Sequence, residues 1–170
     1  MGMARFGSLF PDLAEREMRS MGILDAEPVE DDPGRPPTDE YGLDEWYCDE
    51  RGCDCRRVMI MVVARQAKQH VASISYAFEK PAAGAPVKEQ AFLDPFNRQS
   101  PFAPQLLELF LDRVVDEEYR QRLIRHYHLF KAAVDDPARR RVSGAADGAF
   151  TRPGSIPPPP PRSGKRKKWR

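Results

Sequence analysis

Three cysteines, Cys48, Cys53 and Cys55, lie within eight residues of one another and are all the cysteines in the chain. Zinc in a structural site takes four donors in a tetrahedron, mostly cysteine thiolates and histidine nitrogens. The spacing C-x4-C-x-C therefore reads as three-quarters of a zinc site, with the fourth ligand supplied from elsewhere. Cysteines without such a role usually sit in apolar interiors. These occupy a polar, glycine-containing knuckle between two candidate strands. The odd number also argues against a disulfide framework and for a reducing compartment, so the chain is expected in the cytoplasm.

The chain has three histidines, and helical phase separates them. With Tyr119 at 0° and a step of about 100° per residue, Leu123, Phe130 and Val134 fall near 40°, 20° and 60° and mark a buried face. On the same wheel His126 falls at about −20°, at the edge of that face, and His128 at about 180°, toward solvent. His70 sits in a polar hairpin turn. His126 is thus the preferred fourth ligand, with Asp49, Asp54 or water as alternatives. A thiol-dependent enzyme is the rival chemistry. A thiolate near Arg51, Arg56 and Arg57 would have a lowered pKa, and His126 could act as its base. No third group to orient that base can be named, so no catalytic residue is assigned.

The elements that must position these residues read as an α+β domain. Tyr41 to Cys48 alternates as a strand, with Tyr41, Leu43 and Tyr47 on one face and Trp46 and Cys48 on the other. Val58 to Ala64 is apolar throughout, as in a strand covered on both sides. Val71 to Phe78 alternates again and comes after a connection short enough for a hairpin. Ser100 and Pro101 read as the N-cap and first residue of one helix, and Asp116 as the cap of a second, Glu117 to about Val134. The expected fold is a three- to four-stranded antiparallel sheet, the fourth strand near Ala91–Leu93, packed on a C-terminal helical hairpin. The chain divides into three regions: 1–40, a short helix (Phe10 to Met21) and an acidic, proline-rich linker; 41–136, the zinc-stabilised domain; and 137–170, a disordered basic tail. The central strand needs a cover on its second face, from the N-terminal helix or from a second subunit in a homodimer.

Charge is polarised along the chain. Residues 1–50 carry fourteen Asp or Glu against four Arg, whereas from Ala138 onward ten Arg or Lys stand against one Asp. Arg139, Arg140, Arg141, Lys165, Arg166, Lys167 and Lys168 are the candidate contacts for an anionic partner: nucleic acid, the ribosome or an acidic protein surface. No run of eighteen apolar residues exists, so no membrane helix is expected, and Met1 to Leu9 lacks the features of a secretory leader.

The stretches Tyr41–Asp49, Gly52–Val58, Phe92–Asn97, Gln99–Pro101 and Arg125–Tyr127 resemble a group of bacterial proteins of unassigned function with a YC-x4-CDCRRV knuckle. Some of those end in a SEC-C zinc motif, close to PCPCGSGKKYKKCC. The tail here is similar to that motif with its ligands missing. Ser163, Gly164 and Lys165 match its SGK, while Pro159, Pro161, Trp169 and Arg170 stand where its four cysteines would be. A zinc fold at the tail is thereby excluded. The resemblance implies a tail that contacts partner proteins or the ribosome, here through positive charge alone.

Overall fold

The computed structural model describes residues 2–23, 34–79 and 90–138. Its frame is an antiparallel sheet built on β3 (Asp39–Cys48), β4 (Arg57–Ala64) and β5 (Gln69–Ala77). A short β6 (Ala91–Leu93) pairs with β5 as expected. The inner face is set by alternation and register. Leu43 lies opposite Val62, Glu45 opposite Ile60, and Ile60 opposite Ile74. Tyr41, Leu43, Tyr47, Val58, Ile60, Val62, Ile74 and Tyr76 are all buried there.

The N-terminal region departs from expectation. A helix running from Phe10 to Met21 is not formed. Instead the chain passes through β1 (Met3–Arg5), α1 (Phe6–Leu9), α2 (Pro11–Glu17) and β2 (Ser20–Ile23) in turn. Both short strands pair antiparallel with the free edge of β3, β1 opposite Trp46 to Cys48 and β2 opposite Asp39 to Gly42. The helix stops at Glu17 because the sheet edge captures the residues from Ser20 onward, with Met21 buried opposite Tyr41. Hydrogen bonds to an existing edge outweigh a weak local helix pattern. The linker expected across Asp25–Asp39 lies largely outside the described residues, and its last residue already belongs to β3.

Two C-terminal helices lie on the inner face. Phe110 packs edge-on against Tyr76, and Tyr47 meets Tyr127 and Phe130. The first, α3 (Ala103–Leu109), begins later than Ser100 predicts. The Ser100 N–H donates to Val71 O and its carbonyl accepts from Ala103, so Pro101 and Phe102 form an entry turn. Its last turn widens to π geometry over Phe110–Val114, where Val115 N–H donates to Phe110 O. The second, α4 (Glu117–Asp135), is capped as predicted: Asp116 Oδ1 accepts from Tyr119 N–H at 2.7 Å. Phe6 of α1 stacks on His126 and meets Tyr47 edge-on. The N-terminal helices therefore join α4 on the inner face and do not supply the expected cover on the other, where Trp46, Met59 and Val63 are half-buried.

The strand assignment of Met21 has a direct test. In one helix, Met18 and Met21 would share a side and respond alike. In the observed fold Met18 is 38% exposed and Met21 only 6%. Met21→Ala is expected to cost about 2 kcal/mol or more in urea unfolding, and Met18→Ala less than about 1. Equal losses would contradict the β2–β3 pairing.

Candidate metal centre

The thiols converge at the knuckle that joins β3 to β4. Cys48 ends β3 and is buried, while Cys53 and Cys55 in the connection are partly exposed. The chain turns sharply at Gly52, φ +70°, and again at Arg56, φ +38°. Both lie in the left-handed region, which suits glycine and strains arginine. Cys53 N–H donates to Glu50 O at 3.3 Å and closes the turn.

The C-terminal end of α4 fixes this turn in space. Lys131 donates to Glu50 O at 2.6 Å, Gly52 N–H donates to Asp135 Oδ1 at 3.0 Å, and Arg51 donates to Val134 O at 3.2 Å. Arg51 thus puts positive charge at the carbonyl end of the helix, where the backbone dipoles favour it. Tyr127 donates to Asp54 Oδ1 at 3.1 Å, as does Arg56 at 2.7 Å.

In this frame the Sγ atoms of Cys48, Cys53 and Cys55 all lie within 4.8 Å of one another. Zinc–sulfur bonds of about 2.3 Å imply tetrahedral S···S separations of roughly 3.8 Å, so closing on an ion takes shifts of about 1 Å, within the reach of side-chain rotation. The three cysteines could bind a metal ion. Without one, burial raises the Cys48 thiol to about 11, helped by its hydrogen bond with Cys53 and the two neighbouring sulfurs.

His126 is buried as helical phase predicts, but the structure does not bring it to the thiols. Its Nδ1 lies 2.7 Å from Glu45 Oε2 and its Nε2 3.1 Å from Glu17 Oε2. Both ring nitrogens are thus committed to carboxylates. Tyr47 also donates to Glu45 Oε2 at 2.9 Å, and Phe6 stacks on the imidazole with ring centroids 4.2 Å apart. Arg122 and Arg125 pair with Glu17. Burial disfavours an ionised Glu17, but Arg125 and His126 outweigh it and hold its pKa below the ordinary 4.5. His70 lies 3.0 Å from Ser73 Oγ, and His128 is exposed. The seven candidate tail residues, Arg139 to Arg141 and Lys165 to Lys168, lie outside the described residues.

Glu45 escaped the sequence reading although its position carried a signal. It has the strand parity of Tyr41, Leu43 and Tyr47, so it had to point inward, and an inward carboxylate calls for a buried partner. Glu17, far off in sequence, left no such mark.

No protein-family model matches this chain, and no curated protein or solved structure matches it. The fold and the site together define an α+β domain with a three-cysteine knuckle.

The Glu17 contacts predict a pH dependence of stability. A carboxylate whose pKa is lowered by folding stabilises fully above its unfolded value and loses that contribution as pH falls through the folded one. Glu17→Gln is expected to cost about 1–2 kcal/mol at neutral pH. Its stability curve should converge with that of the unaltered protein as the pH drops below 4.5. Two curves separated by a constant amount at all pH values would count against the ionised role.

Proposed function

We propose that this chain is a small zinc-stabilised interaction module, without catalytic activity of its own, that presents a basic segment to an anionic partner. The convergence of Cys48, Cys53 and Cys55 at one knuckle carries the reading. An ion at that point ties the ends of β3 and β4 together, and the contacts of Lys131, Arg51 and Asp135 extend the tie to α4. Metal binding then contributes directly to folding free energy. Thiolates kept free for a metal suit a reducing compartment such as the cytoplasm. The basic residues beyond Ala138 supply the charge to meet RNA, DNA or an acidic protein surface. A common origin with SEC-C-bearing proteins belongs to the same proposal.

Elemental analysis of protein purified without chelator should find one zinc per chain. Removing it should lower the melting temperature by about 10 °C, the effect of a ligand present at roughly a hundredfold over its dissociation constant. A metal-free, fully folded protein with one hyper-reactive thiol would sink this reading in favour of a thiol-dependent enzyme. Deleting residues 138–170 should abolish salt-sensitive binding to RNA or DNA, and unchanged binding would remove the tail from the proposal.

A further inference from the structure

We infer that the knuckle is a three-thiolate metal site with an open fourth position, and that a small exogenous thiol occupies this position as its thiolate. The inference rests on the metal-binding reading above and concerns what completes the site.

The chain has three cysteines and three histidines, and all six are among the described residues. The cysteines form the cluster. His126 is held between Glu45 and Glu17, His70 is engaged by Ser73, and His128 is exposed on α4. Among the described residues, no Asp or Glu oxygen joins the three sulfurs. Of the carboxylates nearest in sequence, Glu50 is exposed and outside the cluster, and Asp54 and Asp49 face other groups. Asp54 Oδ1 accepts from Arg56 and Tyr127. Asp49 lies against Gly2, where an added Cβ would meet its Oδ1 at 2.2 Å. From the opposite side of the knuckle, Asp135 Oδ1 accepts from Gly52 N–H. Three protein donors on an ion that prefers four leave one position for an outside ligand, the pattern of zinc sites that bind something rather than only brace a fold.

The donor set selects the kind of ligand. Soft thiolates favour soft or borderline ions, and such ions favour further sulfur. A dication with three thiolates carries one net negative charge, and a fourth thiolate raises it to two. One cation stands close enough to offset part of this charge: Arg57 lies within electrostatic range of Cys55. Access is open on the turn side. Cys53 and Cys55 are partly exposed, and nothing lies within 4 Å of where a Cβ on Gly52 would stand. A second copy of the chain cannot supply the sulfur without dismantling its own cluster, because each chain has only these three. A free thiol is the donor that this sulfur set favours. It displaces the metal-bound water, forms a metal–sulfur bond and releases its proton to solvent, with no change of oxidation state.

Cobalt(II) makes the site visible. The metal-free full chain is loaded with one equivalent of cobalt and titrated with 2-mercaptoethanol, and its visible spectrum is followed. The zinc-loaded chain is titrated in parallel by calorimetry in buffers of different ionisation enthalpy. The expected result is saturable addition of one thiol per metal, a shift of the ligand-field bands, and release of about one proton per thiol bound. Asp54→Asn should bind cobalt and thiol as the unaltered chain does. Cobalt bands that appear on loading and then ignore added thiol would overturn the inference while leaving the metal site standing. If Asp54→Asn also changed those bands, the fourth ligand would be Asp54. Failure to bind cobalt at all would overturn both readings.

Discussion

A carboxylate on the inner face of a sheet must find a partner, because an isolated buried charge is far costlier than a paired one. Glu45 stands in that position, 8% exposed between Leu43 and Tyr47 on the face that packs against helices. Its partners are Tyr47 from its own strand and His126 from α4, and His126 in turn reaches Glu17 on α2. One chain of contacts thus joins the N-terminal segment, β3 and the C-terminal helix. Phe6 closes over the imidazole. Removing Glu45 or Glu17 leaves a ring nitrogen of the buried His126 without its partner, which couples the contacts to one another.

This arrangement decides how histidine is used. An imidazole that meets Glu45 on one nitrogen and Glu17 on the other has nothing left for a metal at the knuckle. The sheet and α4 are consequently joined in two chemically different ways. Near the middle of the helix the link is a buried network of carboxylates and imidazole. At its C-terminal end, backbone and side-chain contacts from Arg51, Gly52, Asp135 and Lys131 hold the three-thiol turn. The first link works through desolvated hydrogen bonds, and the second through partly exposed contacts that bring the turn bearing the three thiols to the end of the helix.

The N-terminal residues matter more than their composition suggests. A region whose pattern suggests only one short helix gives little reason to expect strands, yet three- and four-residue segments complete the edge of β3. An edge strand is short of hydrogen-bonding partners until something pairs with it. Pairing this edge within the same chain both protects it and carries α1 and α2 to their places beside α4.

Several features were legible from local order alone, because their causes are local. Alternation placed the inner faces of β3 and β5, the Asp116 cap set the start of α4, and helical phase buried His126 while leaving His128 outside. The cysteine spacing likewise announced a cluster, since eight residues of chain keep three thiols close in almost any tight turn. Other features depended on separations that no spacing rule reaches. β1 and β2 are too short to show a period, and their pairing is a property of the β3 edge. The choice of Glu45 and Glu17 over the thiols as partners of His126 was made across gaps of 81 and 109 residues. Sequence by itself determined the inner faces of β3 and β5 and which thiols would meet. Only the tertiary structure decided whom a buried imidazole would face, because burial constrains a polar group to have partners without naming them.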